Sequence, residues 1–172
     1  MDYVVLVDEA DVEHGVMEKM EAHQKGLLHR AFSIFLFDEK GHMLVHQRAQ
    51  GKYHCPGLWT NACCSHPRPN ESDNTAAQRR LSEELGLQTE LIEQFAFTYH
   101  AVFDNGLTEY EYDHVFFGQY DGEVPFNAQE VMAVKWVSWS DLEQWITNEP
   151  EAFTPWFKIA LPLVKEKIKS KE

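Results

Sequence analysis

The chain has 172 residues, with 15 basic and 28 acidic side chains and a net charge of −13. A balance this acidic excludes a broad basic face for nucleic acid, and a hydrophobic share of 44% excludes a disordered chain. Three cysteines, Cys55, Cys63 and Cys64, make no disulfide framework, so reduced thiols are expected. Apolar runs such as 31–37 are too short to span a bilayer. The apolar patch at the N-terminus has no basic stretch before it, so no secretory signal is expected and a cytoplasmic location is.

In chain order, residues 1–15 read as a short strand and a turn ending at Gly15, and 16–25 have helical composition. Leu27 to Phe37 is rich in aromatic and branched residues and reads as a buried strand. A turn over Asp38-Glu39-Lys40-Gly41 leads to a second strand, Met43 to Arg48, and the two form a hairpin. Gln50 to Gly57 is a loop, and 60–66, with its paired cysteines, reads as another. Asn70 to Asn74 carries helix-capping residue types, and Thr75 to Leu85 is a helix with Ala77, Leu81 and Leu85 at i, i+4 spacing, stopped by Gly86. Thr89 to Phe103 and Glu109 to Tyr120 are strands joined by the hairpin signal Asp104-Asn105-Gly106. Val131 to Trp139 is a further strand. Ser140 caps a helix through Ile146, and Pro155 opens a last helix that breaks or kinks near Pro162. The sum is one α+β domain over 1–172, with antiparallel hairpin strands interleaved with helices.

Residues 60–87 concentrate the chemistry. Arg79 and Glu83 share one helical face by i, i+4 spacing, and Arg80 and Glu84 another; surface ion pairs are the plain reading of both. The wider spacing, Ser65 to Glu71 to Arg79 and then Arg-Arg-Leu-Ser-Glu-Glu-Leu-Gly-Leu, resembles the Nudix box over 65–87, with two departures. Ser65 stands for its glycine, and Arg80 stands for the glutamate after the arginine. In hydrolases of that superfamily these glutamates hold divalent ions on a diphosphate. An arginine there removes a ligand and adds a cation, which weakens the hydrolase reading and keeps a diphosphate reading.

The segment Trp59-Thr60-Asn61-Ala62-Cys63-Cys64-Ser65-His66-Pro67 resembles the active-site signature of the type 1 isopentenyl-diphosphate isomerases. So do Gly26-Leu27-Leu28-His29-Arg30-Ala31-Phe32, Glu109-Tyr110-Glu111 and Pro155-Trp156, in the same order along the chain. Taken from the residues alone, a thiol beside His66 suits a nucleophile, a proton carrier, a metal ligand or simply a buried apolar group. Glu109 and Glu111 project from one face of a strand. The resemblance assembles what spacing leaves separate. It implies a fold of mixed and antiparallel β-sheets sandwiched by helices. It implies a divalent metal, Mn²⁺, Mg²⁺ or Zn²⁺, on His23 (His14 being the alternative), His29, His66, Glu109 and Glu111, and Mg²⁺ on Glu84 with the substrate. It places Lys19, Arg48, Lys52 and Arg80 on the diphosphate. It implies Cys64 and Glu111 on opposite faces of the substrate, with Glu111, near Tyr99, as proton donor, Cys64 as base and Trp156 as an aromatic cap.

The implied reaction shifts a double bond between isopentenyl and dimethylallyl diphosphate, and the implied partner is that small molecule alone, with no membrane and no nucleic acid, in a monomer or weak homodimer. Two other readings compete: a Nudix-type nucleoside diphosphate hydrolase, and a structural zinc domain held by the histidines and cysteines.

Overall fold

The computed structural model describes residues 2–52 and 54–170. Strand β1 (Tyr3–Val7) and strand β2 (Glu13–Glu18) form an antiparallel hairpin. The turn before β2 is made by Asp8, whose Oδ1 accepts from the amides of Ala10 and Val12, and not by Gly15, which is extended. Val16 and Met17 pair with Val5 and Val4, so the strand claims residues whose composition is helical, and helix α1 is confined to Lys19–Lys25. Glu18 caps it by accepting from the Glu21 amide, and Gly26 ends it with φ of 65°, a left-handed position that favours glycine.

Strand β3 (His29–Phe37) is the centre of the fold, and β4 (Met43–Arg48) follows it. The expected hairpin closes only at its turn, through Phe37 and Met43. Beyond that the strands part. β4 pairs with β5 (Trp59–Thr60) and β9 (Val131–Val137), while β3 pairs with β6 (Cys63–Ser65) on one side. On the other side β3 runs parallel to β8 (Thr108–Gln119), which pairs antiparallel with β7 (Leu91–Val102). The splay of β3 from β4 opens the space that holds the site. The segment expected as a cysteine loop is an added strand, because Cys63, Cys64 and Ser65 pair with Ile34, Ser33 and Phe32.

Helix α2 (Asp73–Leu85) starts two residues earlier than expected because Ser72 is its cap, accepting from the Thr75 amide at 3.2 Å. It lays Ala76, Ala77, Leu81 and Leu85 against Phe32, Ile34, Leu36 and Phe116. Helix α3 (Trp139–Asn148) is capped by Ser138, whose Oγ accepts from the Asp141 amide, and not by Ser140. Helix α4 (Pro155–Ser170) runs through Pro162 without ending; that residue lies on the exposed side, where a missing amide donor is tolerated. Phe157, Ala160, Leu161 and Val164 of α4 and Leu142 of α3 cover the other face with Phe35 and Val115. The architecture is an α+β sandwich: α2 on one side of the β-structure, α3 and α4 on the other. Among the described residues no helix is long and apolar enough to cross a membrane.

Candidate active site

Register builds the site. β3 and β8 set His29 beside Glu111, and β7 and β8 set Tyr99 beside Glu111 and Ala101 beside Glu109. Odd-numbered residues of β8, Glu109, Glu111 and Asp113, face the same cleft by strand alternation. The same alternation on β6 separates the two thiols. Cys63 packs into the α2 core with no exposure, while Cys64 lines the cleft. The cleft, about 400 Å³ with its open mouth, lies among Arg48, His54, Cys64, His66, Glu109, Glu111, Asp113 and Trp156. A second, polar groove of about 710 Å³ shares Ser65 and His66 with it and is lined by Lys19, Lys52, Arg68, Arg79 and Arg80.

Three imidazoles gather at the joint between the cavities. Ring centroids are 5.0 Å apart for His23 and His29, 5.0 Å for His29 and His66, and 5.8 Å for His23 and His66. His23 Nδ1 lies 2.6 Å from the Lys19 carbonyl and His29 Nδ1 lies 2.9 Å from that of Leu27. Each Nδ1–H donates to its carbonyl, so each Nε2 carries the lone pair, the arrangement by which backbone acceptors orient ligand histidines. Among the described residues His29 Nε2 is buried without a hydrogen-bond partner, as is Glu109 Oε1. Burial holds His29 and His66 well below the ordinary histidine range, hence neutral and able to ligate. His66 Nε2 is 3.1 Å from Glu111 Oε2. These donors fit a divalent cation with mixed nitrogen and oxygen ligation. His14, by contrast, is exposed on β2.

Burial shifts the carboxyl and thiol groups of the cleft. Glu111 is raised to about 7 by desolvation, with Asp113 adding to it, and Asp113 itself is raised to about 7. Glu109 is pushed well above the carboxylate range by burial and by Glu111. Cys64 is pushed up to about 12 by burial and then by Asp113. Asn61 Nδ2 donates to the carbonyls of Ile34 and Cys63, which fixes its Oδ1 toward Cys64 Sγ at 3.1 Å. An acceptor aimed at the sulfur favours the thiol over the thiolate. Ser33 Oγ lies 3.5 Å from the same sulfur and donates to Asp113 Oδ2 at 2.8 Å.

The remaining expected residues are placed unevenly. Trp156, buried on α4, faces Tyr99 with ring centroids 6.4 Å apart. Lys19, Lys52 and Arg80 border the groove, whereas Arg48 sits in the cleft, its guanidinium 5.2 Å from the Trp156 ring and its Nε donating to the His54 carbonyl. The pairing of β4 with β9 shifts register between Gln47 and Arg48, where Arg48 enters the cleft. Glu84 is buried beneath Arg80, whose Nη2 reaches Glu84 Oε1 and Glu130 Oε2, both at 2.6 Å, with Lys52 3.4 Å from Glu130. Glu84 therefore stands in an ion-pair network. Among the described residues it joins no group of metal donors.

Sequence reasoning missed His54 and Asp113. His54 stands 5.0 Å from His23 between ring centroids and shares a donor group with His23 and Glu109. It lies in a segment without periodicity, so nothing local flagged it. Asp113 continues the period-two series of Glu109 and Glu111 and was legible in principle.

The NUDIX domain family matches residues 27–157. The chain belongs to the NUDIX family. Within that family it stands with the isopentenyl-diphosphate Delta-isomerases. Isopentenyl-diphosphate Delta-isomerase 2 of Photorhabdus laumondii is 51% identical over 91% of this chain and 89% of the relative. The protein of the same name from Aromatoleum aromaticum is 48% identical over 95% of this chain and 86% of its own length. A crystal structure of a Deinococcus radiodurans protein shares the Nudix fold with a TM-score of 0.77, 17% identity and coverage of 94% of this chain and 98% of that one. The MutT protein of Methanosarcina mazei follows with a TM-score of 0.66 at 18% identity, over 84% of this chain and 96% of its own.

Proposed function

We propose that the chain interconverts isopentenyl diphosphate and dimethylallyl diphosphate, the activity that its curated relatives carry by name. The observation that carries this reading is the pair of joined cavities. One presents a thiol and a carboxyl from two different strands under a tryptophan, and suits a short branched alkene. The other is lined by lysine and arginine and suits a diphosphate. Moving the double bond requires a proton to be delivered at one carbon and another removed from a neighbour, so one group must start protonated and the other ionised. With Cys64 near 12 and Glu111 near 7, the dominant pairing above neutrality is thiol and carboxylate. Cys64 then donates to the terminal alkene carbon, a tertiary cation forms, and Glu111 removes the neighbouring proton. This inverts the assignment expected from sequence, and the roles exchange in the reverse direction.

The resident ion would be held by His23, His29, His66, Glu109 and Glu111, and when bound it supplies positive charge that keeps the two glutamates ionised. Mn²⁺, Mg²⁺ and Zn²⁺ all suit the donor set. A Mg²⁺ accompanying the diphosphate would be held by Glu84 and would offset the charge of the phosphate oxygens. The Trp156 ring closes the cleft over the cation. Nucleotide hydrolysis is not favoured, because Arg80 neutralises the acidic helix face where hydrolases gather metal, and because the curated relatives are isomerases. The protein acts on this small molecule in the cytoplasm, as a monomer or weak homodimer, without membrane or nucleic acid. Incubation with isopentenyl diphosphate and Mg²⁺ in D₂O tests the reading: dimethylallyl diphosphate carrying deuterium is expected. Unlabelled product, or inorganic phosphate from a nucleotide panel with no isomer formed, refutes it.

A further inference from the structure

The even-numbered face of β8 carries a second cluster of donors that the reaction does not use. His114 is next in sequence to Asp113 but points to the opposite face, toward the first turn of α2. Its Nε2 lies 2.8 Å from Asp11 Oδ2, and Asp11 is itself held by Arg30, whose Nε donates to Asp11 Oδ1 at 2.9 Å and whose Nη2 donates to the Asp11 carbonyl at 2.8 Å. Nε2 faces Asp11, which leaves Nδ1 on the other side of the ring. Nδ1 is buried and has no hydrogen-bond partner among the described residues, yet Glu93 Oε2 of β7 lies 3.2 Å from it and Asp73 Oδ2 of α2 lies 3.7 Å from it. His114 as a whole is 8% exposed. A ring nitrogen facing two carboxylates requires a positive charge between them, a metal ion or a proton.

We propose that Asp73, Glu93 and His114 form a second divalent-metal site of the Zn²⁺ or Mn²⁺ class, with Asp11 as the carboxylate that orients the histidine. Donors bound at about 2.0–2.2 Å in a tetrahedron lie roughly 3.4 Å apart, and the Nδ1 distances of 3.2 and 3.7 Å bracket that edge. The two carboxylates lie within 4.8 Å of one another. Glu93, at the exposed end of the cluster, closes the remaining gap by side-chain rotation, and water completes the coordination. Arg30 is committed to Asp11, so Asp73 and Glu93 leave two negative charges beside the His114 ring for the ion to offset. Burial raises Asp73 from its ordinary value, with Glu93 and Asp11 adding to the rise and His114 and Arg30 opposing it. The site joins the α2 N-terminus to β7 and β8, so the ion acts as a staple between the helix that carries Arg79 and Arg80 and the sheet that carries Glu111.

The test uses the full chain, stripped with chelator and dialysed against Zn²⁺ alone, with bound metal counted by elemental analysis. Relative to wild type, His114→Gln and Glu93→Gln each bind one ion fewer, and His66→Gln loses a different one, so that His66→Gln with Glu93→Gln loses both. A His66→Gln result equal to wild type tells against the catalytic metal set and leaves this site standing. If His114→Gln folds poorly, nitrogen NMR of the unmutated chain decides: Zn²⁺ shifts the His114 Nδ1 resonance, and in Glu93→Gln that shift vanishes and the rise in melting temperature with Zn²⁺ is smaller. Unchanged metal counts in both cluster variants, or a His114 ring that stays doubly protonated in Zn²⁺, show that a proton fills the gap and overturn the proposal.

Discussion

Strand β6 turns two consecutive cysteines to opposite faces, so replacing each by alanine should separate chemistry from packing. Cys64→Ala removes the group proposed to carry the proton. Positioned acid–base groups contribute about 10²–10⁴ in rate, or roughly 2.7–5.5 kcal/mol of barrier, and kcat should fall by that factor. KM should hold, since the diphosphate groove is built from Lys19, Lys52 and Arg80 and not from the thiol. Cys63 has no exposed surface and sits among Ile34, Ala77 and Leu81. Deleting its sulfur resembles a one-methylene core truncation and costs about 1 kcal/mol, which lowers the melting temperature by about 2–4 °C in a chain of this size. Its kcat should stay near wild type. A proton NMR time course of isomer formation and a calorimetric scan on each variant give both quantities. If Cys63→Ala lost turnover while Cys64→Ala kept it, or if both remained near wild-type kcat, the alternation argument and the proton-transfer scheme built on it would fail together.

Asp113 is buried and raised to about 7 from an ordinary 3.8, so the native protein holds a proton that the unfolded chain releases. The stability this contributes is full below the unfolded value and is lost as pH climbs through 7. In chelated protein, Asp113→Asn should therefore gain on wild type by a few kcal/mol between about pH 4 and 8, read by urea denaturation; a constant difference would refute the shift. Arg80→Met strips the guanidinium from buried Glu84 and from Glu130, and should cost about 3–5 kcal/mol and raise KM for the diphosphate. Recovery of stability in Arg80→Met with Glu84→Gln checks the cause, and a loss below about 1 kcal/mol speaks against the network. Chelation should leave the far-ultraviolet dichroism of a folded protein with no activity; unfolding would instead reassign the His/Glu set to a structural metal.

Local signals carried much of the fold. The Asp104-Asn105-Gly106 turn and its flanking strands, and α2 between Ser72 and Gly86, are written in adjacent residues, because turns and caps are local chemistry. Non-local pairing was hidden. Nothing in residues 60–66 announces a strand, since β6 exists only because the open edge of β3 accepts it. Nothing in Val16 or Met17 outweighs their helical surroundings until β1 lies beside them. The expected ligand histidines come together from α1, β3 and the segment after β6, which spacing alone could not assemble, and His54 joins them from a segment with no pattern at all. Only the resemblance, and no local pattern, singles out Arg48, which the fold sets in the cleft against Trp156.

The parallel pairing of β3 with β8 joins folding to function more tightly than any single residue. β8 carries ionisable groups on both faces: Glu109, Glu111 and Asp113 toward the cleft, and His114 toward α2. A slip of one residue against β3 would exchange the faces. The three carboxylates would enter the core packed by Leu81 and Leu85, where unpaired charge costs several kcal/mol each, and Val115 would leave the α4 core. Phe116 against α2 and Val115 against α4 thus hold the register that the chemistry needs. The acidity of the strand penalises the wrong register as strongly as its apolar residues favour the right one. A residue that carries a proton in the cleft also helps to specify the fold that places it there.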